Sequence, residues 1–305
     1  REAEARTKQI LEQFYQKTQG EITRSFLSHM IMRLESEQSV KEYLDIMDHR
    51  KTEQLIDTLD KVEQNRKECY IREFSIEHFH DSKVFETLIP KICKIFREEN
   101  EELTGFENEE ILAEYQIYKT PGYVYMKGNV QIYSAGKQAA DISAFPEGIA
   151  VAVGSEEDVP DICPDQTIDK VFTIENLTSF YRFKQEHSLV IYLGGYHDRS
   201  RRNLLMQIYQ KLPDAQYYHF GDLDAGGFYI LEHLKRKTGI PFQMFQMDIE
   251  TLKKYEDYAK PLTENDKKRL MQLEKMELPD EERKLITYML QKGIKLEQEC
   301  ISESQ

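Results

Sequence analysis

The sequence predicts an α/β protein, with a parallel sheet flanked by helices over residues 166–305 and helical material ahead of it. Two observations carry this. From residue 166 onward, short apolar runs alternate with amphipathic segments of helical length, the rhythm of strands joined by crossover helices. In the first 65 residues apolar side chains instead recur every three or four positions, with no such alternation.

The helical signal begins with Ile10, Phe14 and Tyr15, then Phe26, Met30 and Leu34, then Tyr43, Leu44 and Met47, then Leu55, Ile56 and Leu59. The alternating stretch Tyr70-Ile71-Arg72-Glu73-Phe74-Ser75-Ile76 predicts a strand, so residues 1–75 read as a helical or winged-helix-like domain. A helical packing or dimerisation module fits the same pattern. Residues 76–165 form a mixed α+β connecting region. It holds an amphipathic helix over 82–98, with Val84, Leu88, Ile92 and Ile95 on one face, then strands at 123–125, 130–133 and 149–153, with turns at Gly122, Gly128, Gly136 and Gly154.

Within 166–305 the first strand is 171–174 and a helix over 177–185 follows it. A second strand, 189–193, ends in Gly194-Gly195, and a helix over 200–211 follows with Leu204, Leu205, Ile208 and Tyr209 inward. The third strand is 216–220, the next helix runs from Gly227 to Lys237 and closes at Gly239, and the fourth strand is 242–245. Strand–helix alternation at these lengths predicts a sheet covered on both faces. Residues 249–303 return to helices, broken near Pro261 and Pro279.

Composition narrows the function classes. Of the 305 residues, 40% are apolar and 31% charged, enough for a substantial core. No apolar run approaches membrane-spanning length and no export signal is visible, so a membrane role is not expected. The chain opens without an initiator Met, which leaves room for an upstream segment. Cys69, Cys93, Cys163 and Cys300 lie far apart with no C-x-x-C spacing, which argues against a structural zinc site or a disulfide framework and suits a reducing cytoplasm. The 41 basic and 55 acidic side chains leave a formal net charge of −14, which counts against a broad nucleic-acid footprint. A local basic patch, a bound metal or a basic partner would offset it.

In an open parallel sheet, functional groups gather where strands end at their carboxyl edges. Those positions hold Glu175, Gly194-Gly195 and Asp222-Leu223-Asp224. Three carboxylates then meet on one rim with no basic residue beside them in sequence, and a cation or a shared proton must relieve the repulsion. Oxygen donors of this kind suit Mg2+ or Mn2+ and not zinc. The D-x-D spacing places both aspartates within reach of one metal or two neighbouring metals. Ala225-Gly226-Gly227 makes a small turn into a helix whose amino terminus favours anions. Taken singly, Asp224 is also a helix cap and Glu175 a surface acid.

Ile174-Glu175-Asn176, a strand ending in Gly-Gly, and Gly221-Asp222-Leu223-Asp224 together resemble the Toprim domain of topoisomerases, primases and several nucleases. More narrowly, several segments resemble the JetD family of the Wadjet plasmid-defence system. They are 80–86, 121–125, Glu175-Asn176-Leu177-Thr178, Gly194-Gly195-Tyr196, His219-Phe220-Gly221-Asp222-Leu223-Asp224 with Gly226-Gly227-Phe228, and Leu296-Glu297-Gln298-Glu299. The resemblance spans roughly residues 70–302. It implies a Toprim domain paired with a winged-helix-like domain, similar to the A subunit of topoisomerase VI. It further implies a homodimer that cuts double-stranded DNA presented by an SMC-type motor complex. Glu175 then corresponds to the Toprim glutamate, a metal ligand or general acid–base, and Asp222 and Asp224 to the metal-binding pair. The topoisomerase relatives use a tyrosine nucleophile. No paired-tyrosine element stands in residues 1–70, where Tyr15, Tyr43 and Tyr70 read as core residues, so hydrolysis by a metal-activated water is expected instead.

Secondary candidates follow. Lys83 in Asp81-Ser82-Lys83 offers a phosphate contact, although the same segment reads as a helix cap with Asp81 or Ser82 at the N-cap. Arg199, Arg201 and Arg202 oppose the dipole of the helix they begin, which points to a phosphate backbone as well as to a solvated patch. His197 and Asp198 have no assigned role. Glu297 and Glu299, read on a C-terminal helix, point about 200° apart and so do not face one metal together. His78 and His80 read as structural. Two function classes stand: a divalent-metal endonuclease, and a non-catalytic Toprim-like assembly subunit docking a partner ATPase.

Overall fold

A computed structural model describes residues 2–104, 106–119, 122–153, 160–194, 197 and 199–301. They fall into two compact units, 1–120 and 121–305.

The amino-terminal unit is built from α1 (Glu2–Lys17), α2 (Glu21–Glu35), α3 (His49–Gln64), β1 (Cys69–Tyr70), α4 (Ile71–Phe79), α5 (Val84–Glu99), α6 (Asn108–Glu114) and β2 (Ile117–Tyr118). The apolar periodicity buries Leu11, Leu27, Ile56, Leu59, Ile92 and Phe96 completely. Glu63 of α3 reaches across to the start of α2, where its carboxylate accepts from Ile22 N at 2.7 Å, Thr23 N at 2.9 Å and Thr23 Oγ1 at 2.8 Å. A side chain on Gly20 would collide with that carboxylate at 2.1 Å.

The stretch 70–76 is not a strand. It opens α4, where Tyr70 N donates to Glu73 Oε2 at 2.8 Å and Ile71, Phe74 and Ser75 are buried at helical spacing. Ile76, which an alternating strand would place with Phe74, is 53% exposed. The short pair β1–β2 is parallel. Tyr43 is buried as expected, but Tyr15 is only half-buried and Tyr70 is exposed.

The carboxyl-terminal unit contains β3 (Tyr123–Lys127), β4 (Val130–Ser134), β5 (Lys137–Asp141), β6 (Ile149–Ala152), β7 (Asp161–Pro164), β8 (Lys170–Ile174), α7 (Leu177–Arg182), β9 (Ser188–Tyr192), α8 (Arg199–Lys211), β10 (Gln216–Phe220), α9 (Ala225–Thr238) and β11 (Gln243–Met244). It continues with α10 (Ile249–Lys254), β12 (Lys260–Pro261), α11 (Glu264–Glu274), α12 (Asp280–Lys292) and β13 (Ile294–Lys295). The α/β expectation holds, and the four strands read from 166 onward pair in parallel as β11-β10-β8-β9. The sheet as a whole is mixed. β3 joins β9 antiparallel and β6 joins β3 antiparallel, giving six strands among the described residues. β4 pairs with β5 and β7 in a separate antiparallel sheet.

β8 and β9 are near-continuous apolar runs because both faces of the sheet are covered. Phe172, Ile174, Val190 and Phe220 belong to a core shared with Phe228 of α9, Leu270 and Leu273 of α11, and Leu285, Ile286 and Met289 of α12. The last helices therefore close over the sheet. A two-way backbone bridge between Leu223 and Leu296, at 2.9 and 3.1 Å, then brings segment 294–301 beside the end of β10. Among the described residues, no helix is long and apolar enough to cross a membrane.

Candidate active site

β8 and β10 are adjacent and parallel, and their register pairs Ile174 with Phe220. The residues that follow must therefore leave the sheet side by side. Glu175 N donates to Phe220 O at 3.1 Å, and Asp222 N donates to Glu175 Oε2 at 3.2 Å. Glycine is required between them. A Cβ on Gly221 would stand 2.5 Å from Glu175 Oε2 and 2.8 Å from His219 Nε2. Gly227 is tighter still, because its Cβ would lie 2.1 Å from Asp222 O. The small turn thus serves first to let the strand end pass against α9.

Asp222 Oδ1 accepts from Gln298 N at 2.6 Å. Burial pushes the Asp222 carboxyl up to about 6, against the pull of that hydrogen bond, and the negative charges of Asp224, Glu297 and Glu299 push it the same way. Asp224 is the N-cap of α9, its Oδ1 accepting from Gly227 N at 2.8 Å. The capping role and the rim position therefore coincide in one side chain. Beneath the rim, His219 is fully buried with Nδ1 2.9 Å from Thr173 Oγ1. Burial lowers it to about 3, which keeps the ring neutral.

Glu175, Asp222 and Asp224 supply oxygen donors, and burial first, then the charges of Asp224, Glu297 and Glu299, raise the Asp222 carboxyl, a strain that a hard divalent cation would relieve. Among the described residues no three His, Cys, Asp or Glu side chains are already placed to share one metal ion. That arrangement still fits Mg2+ or Mn2+, because Mg2+ keeps several waters and is bound through one or two carboxylates plus substrate phosphates. Glu175 and Asp222 are the adjacent pair that would hold it.

Residues 157–305, which contain this entire rim, match the family model described as Wadjet protein JetD, C-terminal. Over this region the chain is similar to the JetD family. A curated relative, Wadjet protein JetD of Bacillus cereus (strain Q1), is 28% identical over 263 residues, covering 85% of this chain. The chain spans 63% of the length of that relative.

The matched region also brings two further acids to the rim. Glu297 and Glu299 do not lie on a long C-terminal helix. Glu297 precedes a 3-10 turn over Gln298–Cys300, and the Leu223–Leu296 bridge delivers that turn to the rim. Asn176 Nδ2 donates to Glu299 Oε1 at 2.6 Å, and Glu297 pairs with Lys260 at 2.6 Å. Gln298 between them is fully buried. The available signal was the short Leu-Glu-Gln-Glu motif itself, whose role depends on a bridge to a residue more than seventy positions away.

The basic candidates are placed differently from one another. Arg202 is 8% exposed and donates to His197 O at 2.9 Å, so in this fold it is an internal group and not a surface phosphate contact. Its neighbour His197, also buried, stacks on His233 with ring centroids 4.8 Å apart. Arg201 reaches Tyr123 O at 3.5 Å. The side chain of Arg199 lies outside the described residues, as do Gly154, Gly195, Tyr196 and Asp198. Lys83, exposed in the amino-terminal unit, is itself the N-cap position of α5. Asp81 Oδ1 accepts from Lys83 N at 2.7 Å, a turn ahead of the helix and not the cap expected at Asp81 or Ser82. His80 ends α4 in the left-handed conformation at φ 56°, a structural role.

Proposed function

We propose that this chain is a divalent-metal-dependent DNA endonuclease subunit of Toprim type, working as a homodimer with an SMC-type motor complex in cytoplasmic plasmid defence. The observation that carries the reading is the pairing of Glu175 with Asp222. These acids are 47 positions apart in sequence, yet they leave adjacent parallel strands at one edge, and Asp222 is held up to about 6 by burial and by neighbouring acids. The match of residues 157–305 to the JetD C-terminal model and the name of the Bacillus cereus relative support the defence role.

Glu175 and Asp222 would hold Mg2+ or Mn2+, with Asp224 at the start of α9 completing the acidic field. Bound there, the ion supplies Lewis-acid stabilisation of phosphoryl charge and lowers the pKa of a coordinated water. The chain's own contribution is orientation. Gln298 N fixes one Asp222 oxygen, Asp222 N fixes one Glu175 oxygen, and the amino-terminal end of α9, capped by Asp224, favours an anionic backbone. Arg201, half-buried, is a candidate for a contact to duplex phosphates, and Lys83, exposed in the amino-terminal unit, is a separate one.

The second reading, a non-catalytic assembly subunit docking a partner ATPase, draws support from the net charge of −14 and from the absence of a ready three-ligand group among the described residues. One assay separates the two. Supercoiled plasmid is incubated with Mn2+ and the chain, alone and with its motor partners, in wild-type form and as Asp222→Ala. The nuclease reading expects nicked or linear product that falls at least about a hundredfold in the variant. No cleavage with any divalent metal in the assembled complex leaves the assembly reading standing. Protein covalently attached to the cut ends would replace hydrolysis with a tyrosyl mechanism.

A further inference from the structure

We propose that Gln298 is the positioning residue that sets the spacing of Glu175 and Asp222, its side-chain amide acting as an extra rung between the ends of β8 and β10. The inference rests on the metal-site reading above and adds a residue to it. The ladder between the two strands finishes where Glu175 N meets Phe220 O. Beyond that point Asn176 turns away to cap α7 and Gly221 turns away toward α9, so the backbone ladder goes no further and the exits are joined through side chains, Glu175 Oε2 accepting from Asp222 N at 3.2 Å.

Gln298 does so with both ends of one planar amide. Its Oε1 accepts from Asn176 N at 2.9 Å and its Nε2 donates to Phe220 O at 2.9 Å. A peptide unit of a neighbouring strand would offer the same donor and acceptor. Its backbone N holds Asp222 Oδ1 at 2.6 Å. One fully buried residue thus grips the residue after Glu175, the residue two before Asp222, and Asp222 itself.

The grip has its own foundation. Leu296 is bonded both ways to Leu223, and Ile301 N donates to Gln298 O at 2.9 Å, closing the turn that carries the amide. Gln298 therefore cannot drift without disturbing the bridge. Few side chains replace it. Glutamate keeps the acceptor toward Asn176 but sets an oxygen against Phe220 O, and methionine keeps the length and offers neither contact. Two carboxylates hold a small divalent ion only when their separation is fixed closely, and groups that orient metal ligands typically carry about ten- to a hundredfold in affinity.

The test uses the full chain as wild type, Gln298→Met, Gln298→Glu and Asp222→Ala. Mn2+ affinity is read by calorimetry, and amide hydrogen exchange is read on the metal-free protein. Gln298→Met is expected to weaken Mn2+ binding about tenfold or more, and to speed exchange at 174–177 and 219–224 while leaving 188–192 unchanged. Gln298→Glu, which replaces the Phe220 contact with an opposed oxygen and keeps the acceptor toward Asn176, is expected to give the same local pattern and serves if the Met variant does not fold. Wild-type affinity in both variants, with Asp222→Ala deficient, overturns the inference and leaves the metal site intact. No Mn2+ binding by the wild type overturns the metal-site reading. Exchange at 174–177 and 219–224 then still decides the rung, and unchanged exchange removes it. Acceleration spread equally over 188–192 would reduce Gln298 to a general packing residue and also overturn the inference.

Discussion

Glu63 in the amino-terminal unit and Asp222 in the carboxyl-terminal unit are both acids held by backbone N–H groups, and they do opposite work. Glu63 is 9% exposed, and its two oxygens accept from Ile22 N, Thr23 N and Thr23 Oγ1, so the start of α2 saturates it. Asp222 accepts from Gln298 N while Asp224, Glu297 and Glu299 crowd it. A buried acid whose oxygens are met by donors is a fastener. One that is buried beside other acids keeps its proton to a higher pH, and under the proposed function it is where a cation would sit.

Four experiments press on that contrast. The largest effect is expected from Gly227→Ala, because the new Cβ would lie 2.1 Å from Asp222 O and backbone on both sides must move. A loss of about 3 kcal/mol or more in denaturant unfolding is expected. A variant as stable as wild type would show that the turn beside the rim is loose. Next, Glu63→Ala strips the amino end of α2 of its acceptor and should cost about 2–3 kcal/mol. Should the loss stay under about 0.5 kcal/mol, Glu63 is not the fastener described.

Asp222→Asn should act in the other direction. The native carboxyl is raised from 3.8 to about 6, so the folded state holds a proton more tightly than the unfolded chain. The stability this confers is complete below about pH 4 and is lost as pH rises through about 6. Asparagine never ionises and keeps an oxygen for Gln298 N. The metal-free variant should therefore exceed wild type by on the order of 1–2 kcal/mol at pH 7.5, a figure discounted for partial exposure, and match it at pH 3.5. An equal effect at both pH values would remove ionisation as the cause. The smallest effect belongs to Lys260→Gln. Its partner Glu297 is exposed, and solvent-screened pairs contribute little, so the unfolding midpoint should not move. A clear drop would mean that Lys260 already serves as the rim's cation.

Local rules reached far in one half of the chain and stopped short in the other. The strand-edge rule placed Glu175 and Asp222 together because β8 and β10 are short, apolar and adjacent. It leaves Asp224 with two readings, cap and ligand, because capping and metal binding ask for the same residue type in the same place, and the structure shows the cap. Residues 70–76 read as a strand because Tyr70, Arg72, Phe74 and Ile76 alternate, but Ile71, Phe74 and Ser75 recur at helical spacing and burial selects the second set. β3 and β6 were visible as strands, but their entry into the main sheet beside β9 was not.

The order of strands and helices after residue 166, the apolar faces that cover them and the acids at the strand ends were determined by the sequence alone, because periodicity and turn chemistry act over a few neighbouring residues. Tertiary structure decided which distant pieces meet: Leu296 against Leu223, Gln298 between Asn176 and Phe220, Glu299 on Asn176, and Arg202 turned inward onto His197. Those contacts depend on how the final helices close over the sheet, and that packing is a property of the whole core, with no local pattern to announce it.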